Sequence, residues 1–352
     1  MPVGQGALLG GLSYVAVGRE TTHGTYNTCT AALDCLSFSF KTMQDQKIIE
    51  QIERSRTYSK RTSLMKKIEG EAEIYYSPLL DSNNFILQNA FGGTITSATA
   101  TGETIGAGSN TAMTHTFNIG SMDQSYPSFS INARKGDTTG GKVFQYHGLR
   151  VNEITFSAEL DDAVKCNVGV IGLDSTQVAN DVASALTVTT APVLSFVDGR
   201  ISVETTFASL TSTSIWHVQS AEFGWGNNLK GDADSGRIGS AILTVLPPGM
   251  ATFTLKCKVR FDTTTAYSAM LNATKLSAQI HYQGPTMTGS SIRQGIRFDI
   301  PTIYVKSSGD PEIGGPDEIL SSEIEFDVIR DDTSATGYAV QAQVTNQKVS
   351  YA

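Results

Sequence analysis

The sequence is short of charge, of cysteine and of long apolar runs, and each shortage closes off a class of protein. Charged residues make up 17% of the 352, against roughly 25% in an ordinary soluble domain. Basic residues are the scarcer sign, 26 Lys and Arg against 34 Asp and Glu, for a formal charge of -8. A chain that grips nucleic acid through its phosphates carries the opposite balance, so any relation to DNA has to be non-adhesive. No apolar run reaches the roughly 18 residues that a membrane-spanning helix needs. The patch from Ala7 to Leu9 and from Val15 to Val17 is broken by glycines and preceded by no positive charge, which does not read as a secretory signal. The expectation is a protein made in the cytoplasm that stays soluble or assembles there.

The four cysteines, Cys29, Cys35, Cys166 and Cys257, form no C-x-x-C pair and have no histidine pair beside them. Neither a zinc site nor a disulfide framework is indicated. They read as buried free thiols in a reducing compartment. The signatures of a serine hydrolase elbow, a zinc protease, a P-loop and a dinucleotide fold are all missing. His23, His115, His147, His217 and His281 are scattered one to a region, and spacing cannot say whether one meets a Ser and an Asp in space. The pairs Asp161-Asp162 and Asp331-Asp332 read as turns, with calcium as the second reading. Asn272-Ala273-Thr274 matches a glycosylation acceptor by chance in a chain without a secretion signal. Trp216 and Trp225 read as core anchors rather than a ligand platform. No catalytic, cofactor or metal residues are assigned, and the chain is not expected to be an enzyme.

What the sequence has is strict alternation, which puts one set of side chains on each face of a strand. Ile68, Gly70, Ala72, Ile74 and Tyr76 alternate with Glu69, Glu71, Glu73 and Tyr75. Ile154, Phe156, Ala158 and Leu160 alternate with Glu153, Thr155, Ser157 and Glu159. Further strands are predicted at Leu36 to Lys41 and Cys166 to Ile171, with shorter ones around Thr116, Phe129 and Val143. In the second half Phe253 to Phe261 alternates with Lys256, Lys258 and Arg260, and comparable runs follow at Leu276 to Tyr282 and Glu323 to Val328. Strands with one wet face belong to antiparallel sheets.

Only Leu79 to Phe91, stopped by Gly92-Gly93, and Thr265 to Ala273 read as helices. Each follows a long alternating strand, so the order of strand, short helix and more strands occurs once per half, as in a diverged duplication. The predicted layout is an amino-terminal arm over 1–35, a β domain over 36–175, a linker over 176–192 and a second β domain over 193–352. Two segments are predicted as loops: Gln46 to Thr62, which mixes both signs of charge with Ile48, Ile49 and Ile52, and Gly92 to Ala112, almost wholly Gly, Ser, Thr and Ala. The first reads either as a surface loop or as an arm that orders on a neighbouring subunit.

Gly18-Arg19-Glu20-Thr21-Thr22-His23-Gly24-Thr25, followed by a strand, a charged loop, Ile68-Glu69-Gly70-Glu71-Ala72-Glu73 and a helix ending in Phe91-Gly92, resembles the major tail tube proteins of long-tailed bacteriophages. Tyr126-Pro127-Ser128-Phe129-Ser130, the segment Tyr146 to Glu153, Val218 to Phe223 and Asn227-Asn228 are similar to further segments of that family, so the likeness covers nearly the whole chain. It implies a mainly β fold of two related antiparallel β-sandwich or half-barrel tube domains, each with one short helix, that join into a multi-subunit β-barrel ring. Rings would stack into the virion tail, assembled in the host cytoplasm, through which double-stranded DNA passes. Its implied partners are further copies of the chain in trimeric or hexameric rings, a tape-measure protein, tail terminator and tip proteins, and a sheath protein where one exists. A barrel of about 24 strands has a backbone diameter near 48 Å and clears a duplex, whereas about half that number does not. With four strands from each half, three copies close the barrel; with one half contributing, six are needed.

On that reading Glu69, Glu71, Glu73, Glu153 and Glu159 line the lumen, where carboxylates repel phosphate, or else an outer solvated face. The row Lys256, Lys258 and Arg260 argues against a uniformly acidic bore. Ile48, Ile49, Ile52, Arg54 and Arg56 are assigned to an arm between rings. The competing reading is a β-sandwich virion decoration or attachment protein, with a hydrolase built on a scattered triad as the third.

Overall fold

The computed structural model describes residues 13–50, 57, 60–101, 111–120, 126–136, 141–179, 182–186, 191–211, 215–260, 265–308, 319–331 and 337–351. The first half runs β1 (Tyr14–Arg19), β2 (Ala31–Ala32), β3 (Cys35–Ile48), β4 (Arg61–Tyr75), α1 (Asp81–Phe91), β5 (Gly92–Thr99), β6 (Met113–Ile119), β7 (Phe129–Lys135), β8 (Lys142–Glu159), β9 (Lys165–Gly172) and β10 (Asp174–Val178). The second runs β11 (Gly199–Glu204), β12 (Val218–Gly226), β13 (Thr252–Arg260), α2 (Thr265–Leu271), β14 (Leu276–Thr286), β15 (Arg293–Ser308), β16 (Ser321–Val328) and β17 (Gln341–Asn346).

Eight strands make one continuous antiparallel layer in the order β3, β4, β9, β8, β12, β13, β16, β15. The alternation explains it. The inward set, which includes Phe40, Ala72, Ile74, Ile154, Phe156, Val168, Phe223, Leu255, Ile324 and Phe326, is buried, and the polar set is left outside. Behind it lies a second layer, with β2, β1, β7, β8 and β10 in one part and β11, β14, β15, β17, β6 and β5 in the other. One hydrophobic core runs through both halves.

Two long strands, β8 and β15, belong to both layers. β8 crosses at His147-Gly148, where its register with β7 slips and Gly148 takes φ 66. A Cβ there would meet the Leu173 side chain at 2.4 Å, so the bend needs glycine. β15 crosses at Pro301-Thr302, where its register with β14 slips in the same way and proline withholds a ladder donor.

The duplication reaches the level of single residues. The hairpin β3–β4 recurs as β12–β13, with a bulge at Leu36 in one and Gln219 in the other. A helix follows each hairpin. β4–β9–β8 recurs as β13–β16–β15, with bulges at Asn152 and Lys306. β1–β7 recurs as β11–β14.

Several expected features differ. Gln46 to Thr62 is not a loop from end to end: β3 continues to Ile48, β4 begins at Arg61, and the Ile49 N–H donates to the Lys60 carbonyl at 2.9 Å. This hairpin end has no core face, so it carries no alternation to read. Gly92 to Ala112 is likewise strand over Gly92–Thr99, paired to β6; small polar residues hid it. The short strand predicted near Val143 and the one from Glu153 are a single bent strand, β8. Of the predicted amino-terminal arm, residues 1–12 lie outside the described residues and Tyr14–Arg19 is a strand beside β7. Of the predicted linker, Thr176, Gln177 and Val178 belong to β10 (Asp174–Val178), paired to β8. α1 ends where expected, at Gly92 with φ 66.

Candidate functional site

The eight-stranded layer has a wet face, and the register fixes what lies on it, because residues directly opposite in an antiparallel ladder share a face. One row across the strands reads Ser39, Glu71, Gly169, Glu153, Gly226, Thr252. The next reads Ser37, Glu73, Asn167, Thr155, Gly224, Thr254. A third reads Lys165, Ser157, Glu222, Lys256, Glu325, Ser307, and a fourth Glu159, Ser220, Lys258, Glu323. Glu69 lies opposite Lys41 and its Oε1 is 2.5 Å from the Lys67 ammonium.

All five predicted glutamates, Glu69, Glu71, Glu73, Glu153 and Glu159, therefore stand on one face. The basic row stands there too. Lys256 lies between Glu222 and Glu325, Lys258 lies opposite Glu323, and Lys306 Nζ sits 3.1 Å from Glu325 Oε1. The face is thus acidic across the first half and charge-balanced across the second. Glu222, Glu323 and Glu325 were not singled out from sequence; only the register shows that they and the lysines interleave. Glycines keep the rows open: a Cβ on Gly169 would lie 2.6 Å from the Glu153 side chain. Glu71 and Glu153 line one groove on this face, and Glu159, Glu222, Lys256 and Glu325 another.

Among the described residues each end of the layer is an open edge. Among the described residues β3 pairs on one side only, with β4, and β15 beyond Ile303 pairs on one side only, with β16. Leu36, Met43 and Ile48 on β3 and Leu64 on β4 are exposed. Of the residues assigned to the arm, Ile48 is exposed at the end of β3 and Ile49 begins the connection; Ile52, Arg54 and Arg56 lie outside the described residues.

Three of the phrases that carry the family resemblance meet at one buried carboxylate. Glu20 accepts from the Gly24 N–H at 2.9 Å, Ser128 Oγ at 2.7 Å, Ser130 Oγ at 2.8 Å and the Gly148 N–H at 2.7 Å. It pins the turn after β1 to β7 and to the bend of β8. His23 in that turn is pushed down to about 4 by burial and then by the Arg150 charge. Asn227, from a fourth phrase, donates to the carbonyls of Ala90 at 2.8 Å and Val151 at 3.0 Å, tying β12 to α1 and β8.

Several other sequence candidates have structural tasks. The His115 ring is buried between Ser97 Oγ, 2.8 Å from Nδ1, and Asn346 Oδ1, 3.0 Å from Nε2; Asn346 also donates to the Pro78 carbonyl and the Tyr351 hydroxyl. This chain of contacts anchors the segment after β17. Cys29, Cys166 and Cys257 are buried, Cys35 is half-buried, and none is bridged; burial pushes the Cys29, Cys35 and Cys257 thiols up to about 12. Trp225 is core. Asp161 takes a turn at φ 64, and Asp162 pairs with Lys165 at 2.6 Å. Among the described residues no group of three His, Cys, Asp or Glu comes together to hold a metal ion.

Comparison with curated proteins finds no match. A family model described as phage tail tube protein matches residues 10–328, which takes in the whole eight-stranded layer, the Glu20 node and every element of both halves from β1 to β16, and the chain belongs to that family of structural tail proteins.

Proposed function

We propose that three copies of this chain join edge to edge into a ring of about 24 strands, that rings stack into the tail tube of the virion, and that the tube carries double-stranded DNA during ejection. The open eight-stranded layer supports this reading: among the described residues both of its edges are unpaired, and such edges call for a partner strand. Three such layers give a backbone diameter near 48 Å; a ring of six would need each copy to supply only half of its layer. On this reading the wet face lines the bore, with Glu69, Glu71, Glu73, Glu153 and Glu159 repelling phosphate and the balanced rows of the second half adding little attraction. The hairpin end beyond Gln46 serves as the contact between rings. The tape-measure protein, terminator and tip proteins and, in a contractile tail, a sheath are the further partners. Assembly takes place in the host cytoplasm.

Negative-stain microscopy of concentrated protein tests this. Stacked rings with a central hole of about 40 Å are expected, and a variant lacking Ile48 to Thr57 should fold and form no tubes. Discrete particles from the unaltered chain would favour a decoration or attachment protein instead. The lining has its own test. Tubes carrying Glu71→Lys and Glu153→Lys are expected to retain linear duplex DNA in a pull-down, with retention falling as salt rises, while unaltered tubes let it go; equal behaviour of the two would place these carboxylates elsewhere.

A further inference from the structure

The internal duplication contains more than a likeness between halves: it includes a joint. Within one chain the first half presents the outer half of β8 to β12, the first strand that the second half contributes to the eight-stranded layer. Among the described residues the second half leaves the corresponding start of this stretch, Ser307 and Ser308 of β15, with β16 as its one neighbour, and β3, the strand of the first half that corresponds to β12, is open on that same side. On the reading that copies of this chain join into rings, we infer that the β8–β12 joint is repeated between copies, with β15 of one pairing antiparallel with β3 of the next in a defined register: Met43 opposite Ser307 and Thr42 opposite Ser308.

The register follows from the bulges. In the internal joint Gly226 lies opposite Glu153 and Trp225 opposite Ile154. Glu153 is the residue after the Asn152 bulge, as Ser307 is after the Lys306 bulge. Gly226 stands seven residues beyond the Gln219 bulge, as Met43 stands seven beyond the Leu36 bulge. Transferring the pairs gives Met43 with Ser307, and Thr42 with Ser308. The faces provide a check that the bulge count does not use. Ser307 lies opposite Glu325 on the wet face, and Met43 shares the side of Lys41 and Ser39. Ser308 lies opposite buried Ile324, and Thr42 shares the side of buried Phe40. A slip of one residue would mismatch both pairs. The exposed Met43 side chain would be covered by this contact.

Cysteine pairs read the register directly. Opposed positions alternate between wide and narrow sites, and only the narrow ones bring Cβ atoms into disulfide range, so both pairs are made in the full-length chain: Thr42→Cys with Ser308→Cys, and Met43→Cys with Ser307→Cys. Under mild oxidation of assembled protein, at least one pair should convert most of the monomer band into a ladder that ends at the closed ring and collapses on reduction. The off-register pair, Thr42→Cys with Ser307→Cys, puts the two thiols on opposite faces and should give no ladder. Rings visible by microscopy with neither in-register pair cross-linked, or with the off-register pair cross-linked, would overturn this register while leaving the ring intact. Dimers from Thr42→Cys alone would show β3 pairing with its own copy and overturn it also. Absence of rings from the unaltered chain would remove the ring reading, and this joint with it.

Discussion

Replacing Glu20 by alanine is expected to destabilise the protein by about 3–5 kcal/mol, because it takes the shared acceptor away from two backbone N–H groups and two hydroxyls at a buried site. The carboxylate accepts from two backbone N–H groups and two hydroxyls, and its own residue is buried. Hydrogen bonds to a charged group contribute roughly 1.5–3 kcal/mol each, and unpaired buried donors cost about 1–3 kcal/mol. The sum is not additive, since the hydroxyls rotate toward other acceptors. Glu20→Gln should fall between the two, since it keeps the shape but turns an amide donor toward other donors. Thermal unfolding followed by circular dichroism measures this; for a chain of this size the alanine variant should melt roughly 4–7 °C lower. Combining Glu20→Ala with Ser130→Ala should cost less than the two changes added together, because one stranded donor is gone. A melting point unchanged in Glu20→Ala would show that the three segments are held together by packing alone.

Trp225→Ala is the second large effect, with an expected loss of about 3–5 kcal/mol. The indole packs against Phe91 from α1, Phe156 from β8, Phe223 from its own strand and Phe298 from β15, at centroid distances of 4.6, 6.4, 5.8 and 6.3 Å. It is the meeting point of the halves, on the strand that joins them. Among the described residues its buried Nε1–H has no hydrogen-bond partner, so Trp225→Phe removes that donor along with part of the ring. That change should cost well under half of the alanine loss. Denaturant unfolding of the two variants separates the contributions: similar losses would mean that ring volume, and not the aromatic contact that phenylalanine keeps, sets the stability of the joint.

How much of this could be read from the residues depended on whether a strand had a dry face. The strands around Ile68, Ile154, Leu255 and Ile324 were legible because burial on one side forces alternation. The two helices were legible from the strand-then-helix order and from Gly92. The hairpin end at Ile48 and Arg61 was not, since both of its faces are wet, and β8 read as two strands because the bend at Gly148 carries no sign of its own. Parity showed that Glu71 and Glu73 share a face. It could not show that Glu153 falls in the row of Glu71, or that Lys256 lies between Glu222 and Glu325, because those facts belong to the order of strands in the sheet. Glu20 stood in a phrase that pointed to the family, but its hydroxyl and β8 partners lie 108, 110 and 128 residues away, beyond any local pattern.

The β8–β12 joint also bears on how assembly begins. In the proposed ring, fusing the halves places one of every two such joints under a covalent tether, so its strands meet at the effective concentration of a single molecule rather than at that of the solution. That joint costs no loss of translational freedom at the time of association. A ring built from fused pairs has half as many encounters to complete as one built from separate halves, and its dependence on protein concentration should be correspondingly shallower.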